Sequence, residues 1–309
     1  MFFQQKFRLL SLLIGIIFLG LLSNIYTLQI TNRDSSLVSV DNQTLDTFYI
    51  PSPRGEIYDT NNNKLVSSSL EPHLFLNMKK INNDNLGQYE QYIKYNFSEL
   101  EDTFIDELFD SNSLLVRIVN IQNLNFDSRE NLTSLDAFEI FDYPIRKYEY
   151  NNIASHILGY LGEPSFEDVQ EFPLSENSNI IGKSGLERYY QDDLAGVPTE
   201  IIFKDEEITE IIKGSPGKDI FTSLDINLQT LATESLLQGI NLANENFESS
   251  RNIQKGAIVV LDIRSNEVVS LVSLPDYDPN NFVDGISRSE FNKLNIDGAF
   301  NNYPIQGQY

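Results

Sequence analysis

Gly256-Ala257-Ile258-Val259-Val260-Leu261-Asp262, Arg264-Ser265-Asn266-Glu267 and Val268-Val269-Ser270-Leu271-Val272-Ser273 form the stretch on which the fold turns. The two apolar runs read as strands, and the polar segment between them reads as a turn, giving a β-hairpin. Leu274-Pro275-Asp276-Tyr277-Asp278-Pro279-Asn280-Asn281-Phe282 follows, with two prolines that fix an extended loop. Upstream, Ile220 to Gln229 reads as a strand leading into a helix. Asp225 is the natural N-cap, because its carboxylate can accept from the free N–H groups of the first turn. Leu228, Leu231, Leu236, Ile240 and Ala243 are expected to form the core-facing stripe of that helix.

Three more segments punctuate the chain. Arg54-Gly55-Glu56-Ile57-Tyr58-Asp59 alternates like a strand, Thr60 to Lys64 is an Asn-rich turn, and Leu65-Val66 resumes the strand pattern. Arg146-Lys147-Tyr148 is followed by Ala154-Ser155-His156-Ile157-Leu158-Gly159-Tyr160-Leu161-Gly162. Gly182-Lys183-Ser184-Gly185-Leu186-Glu187-Arg188-Tyr189-Tyr190 continues to Leu194-Ala195-Gly196. Between them, Tyr92, Tyr95, Leu100, Phe104 and Leu108 suggest an amphipathic helix, and residues 121–135 read as loop and turn.

At the other end, Leu9 to Ile30 is an apolar run of ~22 residues, long enough as a helix to cross roughly 33 Å of bilayer. Lys6 and Arg8 precede it, which predicts a cytoplasmic N-terminus. A cleavable signal peptide competes with this reading, but Ser23-Asn24-Ile25-Tyr26 is a poor cleavage site, so an uncleaved anchor is favoured. Lys6 and Arg8 are also the only charges before residue 31, so with −23 for the whole chain the remainder carries −25. Such an acidic body repels nucleic-acid phosphates and anionic headgroups. Cysteine is absent, which rules out disulfides and thiol catalysis.

The loop after the hairpin resembles the S-x-P-x-[YF]-D-P-N-x-F segment that opens the transpeptidase domain of class B penicillin-binding proteins. Val283-Asp284-Gly285-Ile286-Ser287 points within that class to the penicillin-binding protein 2 type, the elongation enzymes of rod-shaped bacteria. Residues 54–66 resemble the R-G-x-I-x-D-R-N-G-x-x-L-A motif of the non-catalytic domain, with Thr60 and Asn62 in place of Arg and Gly. The segments at 146–162 and 182–196 resemble two further blocks of that domain, in the family's order.

The resemblance implies an α+β chain with a single transmembrane helix, a β-rich pedestal, and the first helix and hairpin of an incomplete transpeptidase domain. Residues 1–30 are expected as cytoplasmic tip and anchor, 31–50 as stalk, 51–219 as pedestal and 220–309 as the domain opening. Arg54, Gly55, Asp59, His156, Gly182, Gly185, Glu187, Asp225, Asp278, Pro279 and Asn280 are the motif residues it marks. Arg54 and Glu187, the charged positions of the first and third blocks, are expected to meet as an ion pair.

Three short motifs imitate the family's catalytic set: Ser215-Pro216-Gly217-Lys218, Ser175-Glu176-Asn177 and Lys183-Ser184-Gly185. Their order is wrong and their spacing too tight, and a lysine-activated serine needs both groups on one face of a rigid helix. The resemblance instead places the nucleophilic serine just after Tyr309, so no catalytic residue, cofactor or metal is expected here. His73 and His156 are the only histidines, and a structural role is expected for His156. The implied setting is the bacterial inner membrane, with the bulk of the chain periplasmic. Implied partners are peptidoglycan stem peptides, a SEDS-type glycosyltransferase and elongation-complex proteins. Beta-lactams would acylate the missing serine. A non-catalytic membrane scaffold remains open as a different reading, and the septal class B paralogue is disfavoured by Val283 to Ser287.

Overall fold

The computed structural model describes residues 45–124, 129, 132, 135–173, 180–246, 252–283 and 285–307. The expected membrane anchor, residues 31–44 and the Ser175-Glu176-Asn177 motif lie outside them. From Asp46 onward the chain forms one unit. In chain order its elements are strands β1 (Leu45–Ile50), β2 (Ile57–Tyr58) and β3 (Lys64–Asn77), helices α1 (Leu86–Asn96) and α2 (Asp102–Phe109), and strands β4 (Leu115–Asn120) and β5 (Phe138–Tyr148). Short elements follow: α3 (Ser155–Leu158), β6 (Leu161–Gly162), α4 (Phe166–Glu171), β7 (Ile181–Gly182), α5 (Gly185–Tyr189) and α6 (Gln191–Leu194). Then come β8 (Thr199–Lys204), β9 (Glu207–Ile212), β10 (Ile220–Phe221), α7 (Ile226–Asn246), β11 (Gly256–Asp262), β12 (Glu267–Leu274), α8 (Arg288–Asp297) and α9 (Tyr303–Gln306).

β3 is the spine. β5 runs antiparallel along one edge from Val66 to Leu76, while β2 and β4 share the other edge. Pro72 and Pro144 fall inside this ladder yet cost it nothing. Both stand an even number of positions from the Val66–Tyr148 pair, where the Tyr148 N–H and C=O point away from β3 to Asn280. Neither ring therefore replaces a donor that the β3–β5 ladder uses. β10 adds parallel to β2, so the short strand before α7 is built into the pedestal sheet. A second sheet has the order β1-β8-β9. Leu45–Ile50, expected as irregular stalk, is thus strand, and Ile50 is buried with Phe75, Ile201 and Phe203.

The helical reading of 90–110 resolves into two helices whose buried faces are Tyr89, Ile93, Ile105 and Leu108, packed on Leu74, Leu76 and Phe138. Tyr95 projects into solvent instead. In α7 the buried face is Ile226, Gln229, Ala232 and Thr233, so Leu231, expected inside, is exposed. The hairpin β11–β12 forms as the sequence predicts, with Asn266 in left-handed geometry at its turn. Its Val272 and Leu274 pack on Ala232, Leu236 and Ile240 of α7. Among the described residues no helix is long and apolar enough to cross a membrane.

Candidate functional site

Glu187 is wholly buried at the end of a cross-chain cluster. Arg54 Nε donates to its Oε2 at 2.9 Å, and Arg54 Nη2 reaches the Glu187 carbonyl at 3.2 Å and Gln191 Oε1 at 2.9 Å. Arg146 Nε donates to the other carboxylate oxygen, Oε1, at 2.8 Å, and its Nη1 donates to the Gly55 carbonyl at 2.6 Å. Arg146 Nη2 lies 2.7 Å from Oε1 as an ion-pair contact outside hydrogen-bond alignment. The Tyr148 hydroxyl adds a donor to Oε1 at 3.3 Å. Two guanidiniums and one carboxylate leave a buried excess of positive charge, so the remaining N–H groups turn to carbonyl and amide oxygens.

Electrostatics follow from that count. Burial alone would raise the Glu187 pKa, but Arg146 and Arg54 overcome it and hold the carboxyl below its ordinary value. Burial lowers Arg54 from the ordinary arginine value, with Glu187 only partly offsetting it. Burial, then Glu187, drives the Tyr148 phenol well up.

Local backbone places these groups. Arg54 and Gly55 lie between β1 and β2, where the Gly55 N–H donates to Leu194 O at 2.9 Å. A Cβ on Gly55 would sit 1.8 Å from the Lys218 carbonyl oxygen, so only glycine lets the two strands of chain cross. Gly185 has φ +58° and opens α5, setting Glu187 on the buried side. Gly182 N donates to Gln191 Oε1 at 3.0 Å, tying β7 to the cluster.

A second junction starts at Asp59, which is also buried. Its Oδ1 accepts from the Asn61 and Asn63 N–H groups, both at 2.8 Å, closing a turn in which Asn62 takes φ +61°. Its Oδ2 accepts from Ile226 N at 3.2 Å, the first residue of α7. Asp225 Oδ1 accepts from Asn227 N at 3.0 Å and Leu228 N at 3.1 Å. Two carboxylates from distant segments therefore cap one helix. Burial would raise the Asp59 carboxyl, but the bonds it accepts, led by Asn63, hold it low.

A third contact joins the loop after β12 to β5. Asp278 Oδ1 accepts from the Asn280 N–H at 2.9 Å and Pro279 packs inside. His156 is half-buried, with Nε2 donating to Ala299 O at 2.7 Å and its ring against Tyr277. Burial lowers its pKa, and the Ala299 carbonyl offsets this only in part.

The catalytic look-alikes separate. Ser215 is exposed in a backbone bridge to Val197, and Lys218 Nζ is taken by Asp193 Oδ1 at 2.8 Å. Lys183 pairs with Asp168. Among the described residues no group of three or more His, Asp and Glu side chains is placed to hold a metal ion.

Arg54 and Glu187 thus meet as the sequence predicts, while Arg146 and Tyr148 of the second block and Gln191 of the third join them without being among the marked motif residues. Their signals exist in the chain: Arg146 and Tyr148 stand two apart on one face of a strand, and Gln191 follows Glu187 by four.

Comparison with known proteins identifies the family. Residues 49–222, more than half of the chain, match the penicillin-binding protein dimerisation domain. The peptidoglycan D,D-transpeptidase MrdA of Haemophilus influenzae is 31% identical over 93% of this chain and 44% of its own length. Its Escherichia coli namesake is 28% identical over 93% of this chain and 46% of its own. A solved complex between the penicillin-binding protein PBP2 and MreC from Helicobacter pylori superposes with TM-score 0.65 at 24% identity, covering 84% of this chain and 49% of that one. The chain spans about half the length of the relatives it matches. With three motif blocks meeting at one buried carboxylate inside the matched region, the chain belongs to the class B penicillin-binding proteins.

Proposed function

We propose that this chain is the anchor and pedestal portion of a peptidoglycan D,D-transpeptidase of cell elongation, together with the opening of its catalytic domain. In this reading residues 1–30 anchor the chain in the inner membrane and 51–219 form the periplasmic pedestal. Residues 220–309 begin the transpeptidase domain. The observation that carries it is the Glu187 cluster, where Arg54, Arg146 and Gln191 draw all three blocks of the matched domain onto one carboxylate. The relatives named peptidoglycan D,D-transpeptidase MrdA supply the reaction class; the family resemblance adds the step, serine attack on a D-Ala-D-Ala bond with transfer to a neighbouring stem peptide. The partners of this reading are a SEDS-type glycosyltransferase and elongation-complex proteins. The Helicobacter pylori PBP2–MreC complex supports the latter class of partner.

Residues 1–309 contribute no nucleophile in this reading, since Ser215 has no free lysine beside it in its motif. Two measurements test the proposal. A fluorescent penicillin is expected to leave the chain unlabelled, and a covalent band abolished by Ser215→Ala would refute that part. Overproduced in a rod-shaped bacterium, the chain is expected to compete for elongation partners and round the cells. Filamentation would favour the septal paralogue, and unchanged shape would overturn the elongation role.

A further inference from the structure

We propose that Asn280 is a positioning residue whose side-chain amide ties the loop after β12 to the buried Glu187 cluster, so that each sets the geometry of the other. The proposal rests on the reading of residues 220–309 as a domain opening only for its functional meaning.

The amide behaves as a one-residue strand. Asn280 Oδ1 accepts from Tyr148 N at 2.8 Å, and Asn280 Nδ2 donates to Tyr148 O at 3.0 Å. Those backbone groups belong to the edge of β5 that β3 leaves free. Asp278 fixes which way the amide faces, because its Oδ1 accepts from both Asn280 N and Asn280 Nδ2 at 2.9 Å. With the nitrogen held there, only the oxygen can meet the Tyr148 N–H. Among side chains of this size only the amide presents a neutral donor and acceptor on two separate atoms: ionised aspartate would set oxygen against the Tyr148 carbonyl and the Asp278 carboxylate, and leucine would bond neither group.

Tyr148 connects this clamp to the cluster. Its backbone is held by Asn280, while its buried phenol donates to Glu187 Oε1. Glu187 in turn carries Arg54 and Arg146. The next residues of the same segment add bonds to the same loop region: Asn152 Nδ2 donates to Asp276 Oδ2 at 2.8 Å, and the Tyr277 hydroxyl donates to Ser155 O at 3.2 Å. Asn280 is distinctive among these contacts, since it alone engages the residue that touches the carboxylate. Among the described residues no hydrogen bond joins Asn280 directly to Glu187, and Tyr148 is the residue that bonds both.

Hydrogen exchange by NMR on the full detergent-solubilised chain tests this without reference to catalysis or partners, so its failure leaves the proposed function standing. Asn280→Asp is expected to speed exchange of the Tyr148 amide about tenfold, the scale of one lost buried hydrogen bond. It should also speed exchange of the Arg54 and Arg146 Nε–H protons by about threefold, a modest coupling through a shared neighbour. Reciprocity requires Glu187→Gln to speed the Tyr148 amide as well. Ser273→Ala is the control, because it removes bonds to Asn301 and Tyr303 within the same region but touches nothing that reaches Glu187. Unchanged arginine protons in Asn280→Asp overturn the proposal, as does equal loosening of them in Ser273→Ala. Should Asn280→Asp not fold, Asp278→Asn frees the amide orientation while keeping Asn280, and is judged on the same arginine protons.

Discussion

Arg54 Nε lies 2.9 Å from Glu187 Oε2 although 133 positions separate the two in sequence, and both side chains are buried. Burying charges is costly, so such a pair is strong evidence of constraint and weak evidence of net stability. What it does enforce is a one-sided dependence: Arg54 without Glu187 would be a charge stranded out of water, while Glu187 without Arg54 would still be paired with Arg146.

Removing Glu187 strands two arginines. Glu187→Ala is expected to destabilise the chain by about 3–5 kcal/mol, and Arg54→Ala by less, because Arg146 still pairs with the Glu187 carboxylate. Combined, the two should cost clearly less than their sum. Urea unfolding in mild detergent measures all four corners of the cycle; simple additivity would show that the contact carries no coupling.

His156 predicts a pH dependence. Its folded pKa is lowered from the ordinary 6.5 by burial, so below that value the unfolded chain binds the proton more readily. The contribution is fully present above pH 6.5 and is lost as pH falls toward the folded pKa, with a slope of at most about 1.4 kcal/mol per pH unit. His156→Gln should flatten the stability profile below about pH 6.5 relative to the parent chain. Parallel profiles for the two proteins would contradict it.

Gly55 and Gly87 should respond in opposite directions to alanine. At Gly55 the new Cβ would fall 1.8 Å from the Lys218 carbonyl, forcing apart a crossing that also supplies acceptors to Arg146. A loss above about 4 kcal/mol is expected, the range reserved for such clashes. Gly87 lies in α1, where an added methyl would meet nothing within 4 Å. Gly87→Ala should therefore stabilise by about 0.5–1 kcal/mol through helix propensity. Thermal unfolding distinguishes the two directly.

The β11–β12 hairpin should be the least protected strand pair. It forms a two-stranded sheet whose inner face is covered by α7, while Val259 and Leu261 on β11 and Ile263 in the turn stay exposed. Two strands alone are marginal in water. Amides of 257–261 are expected to exchange faster than those of 66–76 in β3, which is paired along its length with β5. Equal protection would mean that another surface covers the hairpin.

The hairpin, the capped start of α7 and the Arg54–Glu187 pair are legible in the sequence because each rests on local pattern or on a motif block. β3 and β5 are not, for a definite reason. Pro72 and Pro144 interrupt both strands, and their harmlessness depends on a pairing phase that only the assembled sheet fixes. Leu231 misleads the reading of α7 because Gln229 occupies the core instead. Its amide bonds Leu271 N and O at 2.9 Å and Ser270 Oγ at 2.8 Å, a role no apolar side chain could take. Leu45–Ile50 reads as stalk because a strand of mixed burial shows no clean alternation, and its partner β8 lies about 150 residues away.

The bond from Ile226 N–H to Asp59 has a consequence for the order of events during synthesis. The cap is made 167 residues before the helix it serves. At bacterial translation rates that is a lead of roughly 10–30 s, ample for a hairpin turn to form first. Starting a helix is the costly step, since several residues must be fixed for one bond. By the time Ile226 is made, the residues of the turn that holds its acceptor, Asp59 to Asn63, have long been synthesised and can form that turn first. The later half of the molecule thus takes its starting point from the earlier half, like a second course of bricks laid on one already set.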